Sequence, residues 1–128
     1  MAVLPSRKYR ILSVASHELL RSSRQLLLEQ GGYKVVSAAN LQQVEAACRE
    51  IQFDLVLLGW SVAQENKLAA ARLVQRLLPA AIILDWARGK TRIRGATHFQ
   101  SHDTDQLLQY IGKLLRGNPV SSARVSSG

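Results

Sequence analysis

Cysteine and long apolar runs are scarce in this chain, and each shortage excludes a class of protein. Cys48 is the single cysteine, so no internal disulfide can form, and a reducing compartment is the expected environment. The longest apolar runs are far shorter than the ~20 residues that a membrane-spanning helix needs. Residues 1–5 are too short and too weakly apolar for a signal peptide. We therefore expect a cytoplasmic protein without membrane association.

Acidic residues and histidines are also few. The chain has 9 Asp and Glu against 17 Lys and Arg, which gives a formal net charge of +8. That excess of positive charge favours acidic partners such as nucleic acid, anionic lipid or an acidic protein face. The alternative interpretation is that the charge serves only solubility. The 3 histidines lie outside any recognised metal-ligand motif. We expect no metal and no cofactor.

What the chain does contain is a regular alternation of short apolar runs and amphipathic stretches. Residues 54–58 include four consecutive apolar residues and are followed by Gly59, which predicts a central strand buried on both faces. Other strands are predicted at 10–14, 33–37, 81–84 and 95–100. Helices are predicted at 17–30 after a Ser16 N-cap, after Asn40, at 67–78, and after Asp103.

This alternation of strand and helix predicts a parallel sheet covered by helices on both faces. One domain is expected over residues 9–117, and the serine-rich residues 118–128 are expected to be a disordered tail. Cys48 falls on the apolar face of the second helix, so we interpret it as a small core residue and not as a reactive thiol.

The chain resembles the receiver domain of two-component response regulators over about residues 10–116. The segments that carry the resemblance are Ile11-Leu12-Ser13-Val14, Gly32-Tyr33-Lys34-Val35-Val36-Ser37-Ala38-Ala39, Phe53-Asp54-Leu55-Val56-Leu57-Leu58 and Gly95-Ala96. The resemblance implies an α/β, flavodoxin-like (CheY-like) three-layer sandwich with a five-stranded parallel sheet of order 2-1-3-4-5. The interval 85–95 is too short for a full helix with its loops, so a shortened fourth helix is expected.

The reactive side chains of that family are replaced here at every position. Receivers use two acids after the first strand to hold Mg²⁺, an aspartate after the third strand to accept the phosphoryl group, a hydroxyl after the fourth and a lysine after the fifth. The matching positions in this chain are Ala15, Ser16, Gly59, Asp85 and His102. Without the carboxylates, tight Mg²⁺ binding and phosphorylation by the usual route are not expected.

Several nearby residues have more than one interpretation. Trp60 and Trp86 follow buried strands and are interpreted as filling the vacated pocket, with a stacked small-ligand site as the alternative. Asp85 could pair with His102 as a structural replacement for the lost phosphate–lysine contact. Phe99 stands at the family's switch-aromatic position and is expected to be a packed aromatic.

His17, Asp85, His102 and Asp103 are interpreted as a solvated cluster, with a metal or catalytic site as the less favoured alternative. No nucleophile–base pair is evident, so an enzyme is not expected.

The sequence therefore predicts a degenerate receiver that signals without phosphorylation by binding another protein, either a member of a histidine kinase pathway or an output protein. The expected binding surface combines the last helix with a basic segment of four cations, Arg88, Lys90, Arg92 and Arg94. Two alternatives stay open: a nucleic-acid-binding adaptor that uses these cations, and a small-ligand sensor at the vacated pocket. A monomer and a homodimer are both compatible with the sequence.

Overall fold

The computed structural model describes residues 8–87, 93–101 and 103–117. The strands are β1 (Arg10–Val14), β2 (Lys34–Ala38), β3 (Leu55–Leu58), β4 (Ile82–Trp86) and β5 (Thr97–Phe99). The helices are α1 (Glu18–Gln30), α2 (Leu41–Glu50), α3 (Gln64–Leu77) and α4 (Thr104–Gly117). No helix in these ranges is long and apolar enough to cross a bilayer.

The strands form one parallel sheet in the order β2-β1-β3-β4-β5, which confirms the predicted fold class. Strand β3 lies at the centre and pairs with β1 on one side and β4 on the other. All four residues of β3 are buried, as expected for a parallel strand covered on both faces. The register sets Leu58 of β3 opposite Asp85 of β4, so the two strands end side by side.

Successive residues of β3 point to opposite faces and supply two separate cores. Val56 and Leu58 pack with α2 and α3, whereas Leu55 and Leu57 pack with α1 and α4. Cys48 of α2 is buried in the first core, where burial raises the pKa of its thiol. This placement agrees with its interpretation as a small core residue.

The largest differences from the predicted element boundaries are in α3, β4 and β5. Helix α3 begins at Gln64 and not at Lys67, because the polar residues 64–66 are accommodated in its first turn. Strand β4 runs on to Trp86, because Asp85 obtains a buried partner that a local pattern cannot reveal. Strand β5 is shorter than predicted, at Thr97–Phe99.

The predicted Ser16 cap is wrong. The N-cap of α1 is His17, whose side chain makes no capping hydrogen bond, while the Ser16 hydroxyl donates to the carbonyl of Ser61 at 3.2 Å. The last helix is capped as predicted, since the Asp103 carboxylate accepts hydrogen bonds from the backbone N–H groups of Asp105 and Gln106.

Several predicted features lie outside the described residues. These are His102, the tail at 118–128, and three cations of the basic segment, Arg88, Lys90 and Arg92. Between β4 and β5 the described residues, Ala87 and 93–96, form no helix.

Asn40 caps α2, and its removal gives the first testable prediction. Its Oδ1 accepts a hydrogen bond from the Gln43 backbone N–H at 3.0 Å, and the Gln43 side chain accepts from the Ala39 N–H at 2.7 Å. Asn40→Ala should lower the free energy of unfolding in urea by about 1 kcal/mol, because one orphan N–H loses its partner. Gln42→Ala, an exposed change in the same helical turn, should stay within about 0.5 kcal/mol of wild type. Equal losses from the two variants would contradict the capping role.

Candidate functional site

The candidate site lies at the carboxyl ends of β1, β3 and β4, where open α/β sheets bind their ligands. At the end of β1, Ala15 is fully buried and its N–H donates to the Ala38 carbonyl, while Ser16 is exposed. Neither residue supplies a carboxylate. The first-strand position that would hold a divalent cation in a receiver therefore has no charged oxygen ligand.

Gly59 follows β3, and an arginine occupies the space that a side chain there would need. The Gly59 N–H donates to the Val14 carbonyl at 3.0 Å, which continues the sheet pairing by one residue. A Cβ built on Gly59 would overlap Nη1 of Arg24 and would lie 3.0 Å from the Val14 carbonyl oxygen. Arg24 projects from the middle of α1. A guanidinium thus stands where the resemblance implies a phosphoryl-accepting carboxylate.

Arg24 is buried against both tryptophans. It is only 4% exposed, and its Cζ lies 4.3 Å from the Trp86 ring centroid and 5.3 Å from that of Trp60. Burial lowers the pKa of Arg24 to about 10, so the guanidinium is still charged at neutral pH. Its Nη1 is buried without a hydrogen-bond partner among the described residues. The cation is stabilised mainly by the faces of two indole rings.

Asp85, at the end of β4, forms a buried ion pair with Lys67 of α3. The Lys67 Nζ lies 2.7 Å from Asp85 Oδ1 and also donates to the Trp86 carbonyl at 3.2 Å. The two side chains are 4% and 1% exposed. Because water hardly reaches either side chain, the two charges compensate each other, and burying one charge without its partner would destabilise the fold.

The partner predicted for Asp85 was His102, which lies outside the described residues. Among the residues described, a different histidine approaches the carboxylate: His98 of β5, whose Nδ1 is 3.5 Å from Asp85 Oδ2. Neither of those two atoms has a hydrogen-bond partner in the described part of the chain. Lys67, and not His98, therefore makes the closer contact with Asp85.

The other predicted site residues have separate surroundings. The Phe99 ring stacks on Tyr110 of α4 with centroids 5.0 Å apart, which matches its interpretation as a packed aromatic. The Trp86 indole N–H donates to the Ser101 carbonyl at 2.7 Å and holds the ring over Arg24. Arg94 is exposed, and its carbonyl accepts a hydrogen bond from Gln75.

The described members of the alternative metal or catalytic site, His17, Asp85 and Asp103, do not come together in the structure. His17 and Asp103 are exposed at helix N-termini, whereas Asp85 is buried inside the sheet. The described ranges bring together no group of three or more His, Cys, Asp or Glu side chains that could hold a metal ion.

The sequence interpretation missed Arg24 and Lys67, although a signal for each was present. Arg24 lies four residues from both Leu20 and Leu28, in the apolar stripe of α1. Lys67 occupies the same helical face as the buried Ala70, Ala71 and Val74. A single cation within an apolar stripe indicates a charge turned inward, which requires a buried partner or a ring to stabilise it.

No protein-family model matches the chain, and no curated protein matches it. Solved structures do match. A CheY-like receiver from Methanospirillum hungatei JF-1 is 21% identical, with a TM-score of 0.74 over 86% of this chain and 95% of that one. The response regulator TrrA of Thermotoga maritima, solved with Mg²⁺ and beryllofluoride, is 23% identical, with a TM-score of 0.70 over 84% and 99%. Vibrio cholerae CheY4 is 16% identical, with a TM-score of 0.70 over 85% and 100%. At such identities these likenesses show the receiver fold.

Proposed function

We propose that this chain is a receiver-type signalling module that works without aspartyl phosphorylation and acts by binding another protein. The observation that carries the proposal is the Arg24 guanidinium, which occupies the side-chain space at Gly59. An acceptor carboxylate has no room there while Arg24 keeps its place between the indole rings.

The charges around the strand ends support the same proposal. Phosphoryl transfer in receivers needs a divalent cation held by carboxylates, and the transferred group then needs a cation and a hydroxyl. Here Ala15 and Ser16 offer no carboxylate, and Asp85 is already compensated by Lys67. The positive charge of Arg24 opposes the entry of a second cation, because the site is poorly screened by water.

The contents of the strand ends support a proposed binding role in preference to an enzymatic one. The strand ends hold compensated or stacked charges and no nucleophile beside a base among the described residues. The surface proposed for the partner combines α4, its neighbour Phe99 and the basic segment, of which Arg94 is the described member. A histidine kinase pathway component or an output protein with an acidic face is the partner class that this positive charge suits.

A titration with Mg²⁺ and beryllofluoride, followed by backbone and indole N–H shifts in NMR, tests the loss of the phosphoryl switch. We expect no saturable shift at Gly59, Trp60 or Asp85, because the metal and the acceptor are both required for the mimic to bind. The Thermotoga maritima TrrA domain, solved with this mimic, serves as the positive control in the same buffer. Saturable shifts at Gly59 would overturn phosphorylation independence.

The net charge of +8 keeps a nucleic-acid adaptor as the second candidate. Binding to random duplex or single-stranded oligonucleotide, measured at several salt concentrations, separates the two candidates. A steep fall in affinity with rising salt would favour the adaptor, because released counterions dominate such binding. Under the protein-binding proposal, oligonucleotides bind weakly and do not compete with the protein partner.

A further inference from the structure

A cavity of about 340 Å³ opens beside Arg24, between α1 and the ends of β3 and β4. Its walls are formed by both indole rings, two leucines of α1, two hydroxyl-bearing residues and the arginine itself: Leu20, Leu27, Trp60, Trp86, Ser23, Thr104 and Arg24. The cavity has the size of a small organic molecule and combines apolar walls with one fixed charge, which is the usual make-up of a ligand site.

The electrostatic state of Arg24 indicates what such a ligand would carry. Guanidinium groups present a planar fork of N–H donors that matches a carboxylate or another planar oxyanion. In this protein the Arg24 Nη1 is buried and finds no acceptor among the described residues. Because that nitrogen is closed off against Gly59, an oxyanion in the cavity would pair with the other N–H groups of the guanidinium. The two indole rings meanwhile hold the guanidinium in one orientation.

We propose that this cavity binds a small organic carboxylate with an apolar body, whose carboxylate pairs with Arg24 while its body packs against Trp60 and Trp86. The inference goes beyond the proposed function and does not depend on it, because a ligand can bind here whether or not a protein partner exists. Binding would shift α1 relative to the carboxyl ends of the strands, which is the region where receivers carry their phosphoryl group.

A carboxylate with an apolar body fits this cavity better than inorganic phosphate does. One arginine supplies a single positive charge, and within the described part of the chain no second cationic side chain lines the cavity. The remaining walls are leucine side chains and indole rings, which gain from contact with apolar surface and would leave a small hydrated anion poorly solvated.

The experiment uses the two indole N–H signals, because Trp60 and Trp86 are the only tryptophans of the chain. The probes are sodium benzoate and sodium hexanoate, with benzamide as the neutral match for benzoate and inorganic phosphate as the small anion. We expect saturable shifts of both indole signals with the two carboxylates, and none with benzamide. No saturable shift with either carboxylate would overturn the proposal, and phosphate binding as tightly as benzoate would overturn the assigned ligand class.

The charge requirement is tested by Arg24→Gln, which should weaken benzoate binding by about tenfold or more through loss of a charge-assisted hydrogen bond. Arg72→Gln removes an exposed arginine outside the cavity and should bind benzoate like wild type. Equal weakening in both variants would show a general charge effect and overturn the site. Should Arg24→Gln fail to fold, Arg24→Lys keeps the charge but loses the fork, and undiminished benzoate binding by it would also contradict the proposal.

Discussion

Lys67→Met is expected to lower the free energy of unfolding by about 3–5 kcal/mol, because it leaves the Asp85 carboxylate buried and without its ion-pair partner. The lysine Nζ makes both a 2.7 Å contact with that carboxylate and a hydrogen bond to the Trp86 carbonyl. Methionine has a similar length and fills the space, so the loss reports the charge and not a cavity. Urea unfolding followed by tryptophan fluorescence or far-UV circular dichroism measures the change.

Two controls distinguish a pair effect from a general effect of removing lysine. Lys113→Met changes an exposed lysine of α4 and should alter stability by no more than about 0.5 kcal/mol. The double variant Lys67→Met with Asp85→Leu should recover most of the lost stability, because apolar residues of similar volume replace a buried ion pair at little cost. A double variant as unstable as Lys67→Met alone would show that packing, and not the orphaned charge, accounts for the loss.

Gly59→Ala is expected to cost about 1–3 kcal/mol, since the added methyl overlaps the Arg24 guanidinium and crowds the Val14 carbonyl. The end of an arginine is usually free to move, but here two indole rings and the sheet enclose it. The methyl group must therefore displace a packed cation or shift the backbone at the end of β3. Thermal and urea unfolding both measure the loss.

A double-mutant cycle with Arg24→Ala isolates the contact. In the Arg24→Ala background the methyl group at position 59 has room toward α1. Gly59→Ala should therefore lower the free energy of unfolding by at least about 1 kcal/mol less in that background than in wild type. The contact with the Val14 carbonyl persists in both backgrounds and cancels in the comparison. Additive losses would show that Arg24 does not restrict position 59 and that it leaves room there for an acceptor side chain.

These two predictions have a common functional consequence. Charged side chains of the protein itself pack at the carboxyl ends of the strands, Arg24 from one face of the sheet and Lys67 from the other. A single substitution that puts an aspartate at Gly59 would meet the guanidinium and still lack the acids at Ala15 and Ser16. The carboxyl ends of these strands therefore carry a charge pattern set by Arg24, Lys67 and Asp85.

Much of the fold was predictable from local patterns. The buried run of β3, the amphipathic helices and the Asn40 and Asp103 caps depend on residues close in sequence, and each appears close to its predicted place. The predicted start or end of an element was wrong where the contact that determines it comes from a residue distant in the sequence. The Ser16 hydroxyl bonds to Ser61 and not to the helix that follows it, and β4 extends because a lysine from α3 compensates Asp85.

The sequence by itself determined the order of strands and helices, the two-faced burial of the central strand, and the absence of acids from Ala15, Ser16 and Gly59. These follow from periodicity, composition and the residue at each position. Only the tertiary structure decided that Arg24 takes the side-chain space at Gly59 and that Lys67 compensates Asp85. The physical reason is that burial of a charge depends on partners from other elements, which parallel strands and crossover helices bring together from distant parts of the chain.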